Sequence, residues 1–166
     1  LEQEKNKSQK IPNWFYEQHF LGYNFRITEF QAALGIGQLA RLVKFVNTRN
    51  DLASYYKARL SHLPLKFQEV LSNASSSYHL FTIELVDDVF SRNSLYNHLK
   101  SKNIGCQVHY IPVHLQPFYK NLGFPKGYLG NAEKYYDRCL SIPLHQGLTK
   151  VEIDFVVQEI ENFFLN

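Results

Sequence analysis

The strongest constraint on this fold is a helical signal that starts at Thr28. Thr28-Glu29-Phe30-Gln31 has the form of a capping box. The Thr hydroxyl can satisfy an orphan N–H of the first turn, and Gln31 can reach back to the cap. Apolar residues then recur at helical spacing at Phe30, Leu34, Leu42, Phe45, Val46, Leu52, Ala53, Tyr56 and Leu60. This pattern predicts one long helix to about Ser61, or two joined near Val46–Thr48. A helix of about 30 residues spans about 45 Å, long for a 166-residue chain, and suits a connector between domains. Gly35 and Gly37 each cost it about 1 kcal/mol. They are either tolerated or mark a place where the helix packs too closely for a Cβ. Ala32 and Ala33 just before them favour close packing.

Ahead of the helix, residues 1–10 are polar and charged, a composition expected to fray. Residues 11–27 hold Trp14, Phe15, Tyr16, Phe20, Tyr23 and Phe25 without a regular period. That reads as an extended segment packed onto something large. Beyond the helix, Pro64 and "SNASSS" (72–77) bracket a turn-rich passage. Phe81, Ile83 and Leu85 then alternate with Leu80, Thr82 and Glu84, which predicts a strand over Tyr78–Val86. Ser91 caps a helix to about Lys102, with Gly105 as its expected stop. "IGCQVHYI" (104–111) reads as a strand ended by Pro112, Ala132–Cys139 as a short helix and "LSIPLH" (140–145) as extended. A second capping box, Thr149-Lys150-Val151-Glu152, opens an amphipathic helix to about Leu165. The expected organisation is an extended segment (1–27), a connecting helix (28–61) and a small α/β domain (62–166).

Composition narrows the function. Hydrophobic residues make up 45% of the chain and charged residues 20%, enough apolar material for a core. No run approaches the roughly 18 consecutive apolar residues of a membrane span. A net charge of +3, with dispersed Lys and Arg, does not mark a nucleic-acid binder. Cys106 and Cys139 lack metal-ligand spacing and read as reduced intracellular thiols. The chain starts at Leu1 and contains no Met, which leads us to expect a piece of a longer protein.

Two groups of residues could carry chemistry. Asn24 and Arg26 lie two apart, so in an extended segment they share a face, next to a helix N-terminus. An amide and a guanidinium there can form an anion site; they can equally be a turn Asn and a surface Arg. His109 and His114 sit in "VHYIPVHLQPFY" (108–119). A metal centre would need a third ligand, and none stands out. The alternatives are a hydrogen-bonded strand histidine, or a pocket where His, Tyr and Gln offer neutral donors and acceptors to a sugar or carboxylate. No Ser/His/Asp set, phosphate-cradling glycine loop or paired-carboxylate signature is present, and Glu84, Asp87 and Asp88 read as a solvated turn.

"LGYNFRITEFQAALGIGQL" (21–39) resembles the G-x-N-x-R…Q-A-A-x-G-x-x-Q-L signature of the DegT/DnrJ/EryC1/StrS sugar aminotransferases, which use pyridoxal phosphate (PLP). "VHYIPVHLQPFY", "AEKYYDRCLSIPLH" and "LTKVEIDFVVQEI" are similar to later motifs of that family, in the same order, and the resemblance covers about residues 12–163. It implies the C-terminal portion of a fold-type I, aspartate-aminotransferase-like α/β protein that works as a cytoplasmic homodimer with active sites at the subunit interface. The implied reaction moves an amino group, usually from glutamate, onto a keto carbon of a nucleotide-linked deoxysugar. By the resemblance, Asn24 reaches the PLP phosphate of the other subunit, with Arg26 beside it. His109 and Tyr110 match an H-Y-x-P motif on the substrate side, and His114 and Gln116 follow in the same loop. The family's Schiff-base lysine, in a Ser-x-x-Lys context, and the acidic partner of the PLP ring lie upstream of the signature. Neither is found there in this chain, and Lys7 and Lys10 have the wrong context. The expectation is a chain that binds PLP weakly alone and is inactive. A dehydratase-like family variant and a non-catalytic α/β binding module are the alternatives.

Overall fold

The computed structural model describes residues 17, 19–23, 25–86 and 89–165. The chain divides into two units, Leu1–Gly37 and Gln38–Asn166.

Helix α1 (Glu29–Leu39) opens on the expected capping box. The Thr28 N–H donates to Gln31 Oε1 at 3.1 Å, and the Gln31 N–H donates to Thr28 Oγ1 at 3.3 Å. The helical run stops at residues 40–41 and resumes as α2 (Leu42–Leu60). The interruption therefore lies several residues before Val46–Thr48, just after the two glycines that weaken the first segment. Among the described residues, the close packing expected of those glycines is not formed. Among the described residues, a Cβ on Gly35 or Gly37 meets nothing within 4 Å, and α1 buries none of its residues.

The second unit is an α/β domain. A three-stranded antiparallel sheet has the order β1 (Leu65–Phe67), β2 (Phe81–Leu85), β3 (Cys139–Ile142). Between β2 and β3 come α3 (Arg92–Ser101), a 3-10 turn (Val113–Leu115), α4 (Pro117–Asn121) and α5 (Gly130–Arg138). Helix α6 (Lys150–Leu165) opens on the second capping box, with Thr149 N–H donating to Glu152 Oε2 at 2.8 Å.

Strand alternation decides which face is core. Phe81, Ile83 and Leu85 share one face of β2, and Leu140 and Ile142 share it on β3. They cluster with Tyr56 and Leu60 of α2, Leu95 and Leu99 of α3, and Ile153, Val157 and Ile160 of α6. The Tyr56 and Phe81 rings stack at 5.3 Å between centroids. The opposite face carries Lys66, Thr82, Glu84, Cys139 and Ser141, a polar set that the register fixes: Thr82 lies opposite Ser141, and Glu84 lies between Lys66 and Cys139.

Two expectations are corrected here. Residues 104–111 do not form a strand; only Gln107 pairs, through an isolated antiparallel bridge to Ser141. Extending that ladder would need the backbone N–H groups of residues 143 and 139. Pro143 has none, and the Cys139 N–H already donates to Tyr135 O at the end of α5. Helix α3 stops before Gly105, because Asn103 takes the left-handed position at φ 59° and the Ile104 N–H closes on Leu99 O at 3.0 Å. Asn is the non-glycine residue that tolerates this conformation best.

Candidate functional site

The polar sheet face is where chemistry-bearing side chains meet. From Gln107 the chain runs across the end of β3 and brings His109 onto this face. His109 Nδ1 lies 2.9 Å from Ser141 Oγ, and Ser141 Oγ lies 3.3 Å from Thr82 Oγ1. Tyr135, on α5, lines this face beside Thr82 and Glu84, and burial pushes its phenol up. His109 is half-buried and lines a cavity of about 210 Å³ with His79, Gln107 and Leu144. Tyr110 packs its ring edge-on against His109 at 4.5 Å and is itself 72% exposed. At the other end of the same face an open cleft of about 920 Å³ is lined by Lys57, Lys66, Gln68, Thr82, Glu84 and Tyr135.

The two histidines of the 108–119 segment have different surroundings. His114 is buried, and its Nε2 lies 2.8 Å from Glu133 Oε1. The same oxygen accepts the Gly127 N–H at 2.7 Å. Gly127 sits at φ +90°, a conformation that a side chain resists, so the turn requires glycine. Hydrogen bonding from His114, and secondarily from the Gly127 N–H, holds the Glu133 carboxyl below its ordinary value. Gln116 is exposed at the start of α4, and its N–H donates to Val113 O.

The sign of the Glu133 shift sets a pH dependence. A carboxyl whose pKa is lowered by folding stabilises the fold above its unfolded value, 4.5, and that contribution is lost as pH falls through the folded value. Glu133→Gln retains an acceptor for His114 but cannot titrate. Thermal melts are expected to show the native chain losing stability more steeply than this variant as pH drops below 4.5. Parallel curves would contradict the assignment.

Of the first unit's candidates, Asn24 lies outside the described residues. Arg26 is exposed, two residues ahead of the Thr28 cap. Ser54-Tyr55-Tyr56-Lys57 repeats the Ser-x-x-Lys spacing inside α2, but there Lys57 Nζ is engaged by Gln68 O at 3.2 Å and Tyr78 OH at 3.0 Å. Among the described residues, no group of three or more His, Cys, Asp or Glu could hold a metal ion, and no helix is long and apolar enough to cross a membrane. Sequence reasoning missed Thr82, Ser141, Tyr135 and Glu133. The polar half of the β2 alternation was the available signal for Thr82.

Known proteins are similar to this chain in sequence and in architecture. A spore coat polysaccharide biosynthesis protein, SpsC, of Bacillus subtilis is 31% identical over 162 residues, covering 95% of this chain and 42% of that protein. A UDP-4-amino-4,6-dideoxy-N-acetyl-beta-L-altrosamine transaminase of Campylobacter jejuni is 34% identical over 146 residues, covering 86% of this chain and 38% of the relative. The PLP form of a putative sugar aminotransferase, Spr1654, of Streptococcus pneumoniae superposes with a TM-score of 0.79 at 26% identity, over 90% of this chain and 39% of that one. The chain thus spans about two fifths of the length of these relatives. The DegT/DnrJ/EryC1/StrS aminotransferase family is matched from residue 3 to residue 161, nearly end to end, and the chain belongs to it.

Proposed function

We propose that this chain is the C-terminal portion of a longer PLP-dependent aminotransferase, one that transfers an amino group from glutamate to a keto carbon of a nucleotide-linked deoxysugar. The family match over residues 3–161 carries this reading. A UDP-linked amino-sugar transaminase among the relatives supports the substrate class.

Arg26 and Asn24 are assigned to the cofactor phosphate. The chemistry fits: a guanidinium ahead of a capped helix start meets an anion at the positive end of the helix. The lysine that would carry the cofactor is assigned to sequence preceding this chain. PLP, when bound, supplies the electron sink that lets an amino group replace a carbonyl oxygen. His109, Tyr110 and Gln116 then face the sugar substrate. His114, buried on Glu133, holds their loop in place instead of touching the ligand. The exposed apolar side chains of α1, Phe30 at 74% and Ile36 at 71%, support burial against the rest of a cytoplasmic homodimer.

The test uses the chain as it stands. After incubation with PLP and borohydride reduction, mass spectrometry is expected to find no stoichiometric adduct on any single lysine, and no visible absorbance is expected to survive gel filtration. A stable adduct on one lysine overturns the assignment of that role to preceding sequence.

A further inference from the structure

Arg92 opens helix α3 and is only 8% exposed, yet among the described residues its Nε has no hydrogen-bond partner. A guanidinium does not give up its proton in a protein, so its burial cannot be relieved by becoming neutral. Buried cations are for this reason paired with anions. The face of the Tyr136 ring, 5.0 Å from the guanidinium carbon, covers one side of the group. A ring face offers no oxygen to the N–H donors around the guanidinium edge.

Arg92 lines a cavity of about 270 Å³ together with Ser91, Lys134, Asp137 and Arg138. The lining side chains set three cations against one carboxylate. The start of α3 lies at the same place. Ser91 is its cap and accepts the Asn93 N–H at 3.2 Å, and the first turn holds no acidic residue to offset the positive end of the helix. The cap satisfies one N–H of that turn and leaves the others without an intrahelical partner. Asp87 and Asp88, just ahead of the cap in sequence, lie outside the described residues.

We propose that this cavity is a phosphate-binding site, with the Arg92 guanidinium as its main donor and Lys134 and the α3 N-terminus adding positive charge. Arginine suits an oxyanion because its planar fork can give two parallel bonds. A phosphate carries more charge than a carboxylate to set against the three cations, and its tetrahedral oxygens can meet a side chain and a helix end at once. The volume lies below the roughly 300–1,000 Å³ of pockets that hold drug-sized ligands. It therefore fits a free phosphate ion or the phosphate end of a small ester, and not a whole nucleotide. Strand β2 runs from Phe81, beside the cavity of His109, to Leu85, beside this one, so the two cavities sit at opposite ends of the strand. The phosphate site is separate from the sugar-facing site proposed above and does not depend on it.

The test titrates inorganic phosphate into the whole chain at constant ionic strength and follows the Arg92 Nε–H signal by proton–nitrogen NMR; Arg92→Lys identifies that signal by its absence. A saturable shift is expected with phosphate and none with chloride, and acetate is expected to bind more weakly than phosphate. By calorimetry, Arg92→Gln is expected to weaken phosphate binding at least about tenfold, since bonds to charged groups are the strong ones. Lys134→Gln, at an exposed position, is expected to weaken it about two- to fivefold. Glycerol 3-phosphate binding more tightly than phosphate assigns a phosphate ester as the ligand, and the reverse assigns the free ion; either supports the site. No saturable shift of the Arg92 signal, acetate as tight as phosphate, or an affinity unmoved by these substitutions overturns it. The native titration and Lys134→Gln decide the matter if Arg92→Gln fails to fold. No PLP or sugar enters this measurement, so a failed phosphate site and a failed aminotransferase reading are separate outcomes.

Discussion

Ile83→Ala is expected to destabilise the chain by about 2–5 kcal/mol, a large share of the 5–15 kcal/mol that typically holds a domain together. Ile83 is fully buried at the centre of the middle strand, opposite Phe67 on one side and Leu140 on the other. Truncation removes buried methyl and methylene groups and leaves a cavity that helices α2, α3 and α6 cannot close without leaving the sheet. The consequence reaches the candidate site, since Thr82 and Glu84 are the flanking residues and face the other way. A strand that slips by one residue exchanges its two faces, which would send Thr82 into the core and end its contact with Ser141. Urea unfolding followed by circular dichroism measures the loss. A cost under about 1 kcal/mol would mean that the site collapses freely and is not a packed core.

Arg49→Met is expected to cost about 3 kcal/mol, because bonds from a charged donor are worth more than neutral ones and their carbonyl partners would be left in a half-buried place. One terminal guanidinium nitrogen of Arg49, on α2, shares its two hydrogens among Tyr78 O at 3.0 Å, His79 O at 3.2 Å and Leu144 O at 3.1 Å, and the other donates to Gln146 Oε1 at 3.3 Å. Two loops distant in sequence are held by this one side chain. Tyr78 sits in left-handed backbone at φ 43°, a conformation that its surroundings must enforce. Asn50 adds a bond from Nδ2 to Ser76 O at 2.9 Å. His79 and Leu144 line the same cavity as His109, so the clamp also shapes the candidate site. Met keeps the apolar stem and loses the donors. Limited proteolysis is expected to cut the 72–80 segment faster in the variant, alongside the loss in unfolding free energy. Unchanged stability and cleavage would show that the carbonyls find water at no cost.

What could be read from sequence was local in sequence. Both capping boxes formed as written, because cap and partner are three residues apart. The alternation of β2 is visible within five residues. Strand β1 escaped notice because three residues are too few to show a period. The 104–111 segment looked like a strand because its own residues suit one. Its failure comes from Pro143 and from a Cys139 N–H committed to α5, neither of which that segment reveals. The site divides in the same way. His109 stood out as a histidine at the end of an apolar run, but Ser141, 32 positions away, is invisible until the strands are in register. His114 looked like a pocket residue in the same loop. It is buried against Glu133, 19 residues later on α5, a contact its own segment does not reveal.

On the proposed function, these residues form the substrate-facing part of a nucleotide-sugar aminotransferase whose cofactor lysine precedes them. The most direct measurement expresses the chain with the sequence encoded ahead of Leu1, loads it with PLP, and assays amino transfer from glutamate to UDP- or GDP-linked keto-deoxysugars, reading 2-oxoglutarate and the amino sugar together. Equal amounts of both products are expected from the extended protein and neither from the 166-residue chain. Turnover by the 166-residue chain alone, or an extended protein that binds PLP and releases no amino sugar with any such substrate, would contradict the proposed function.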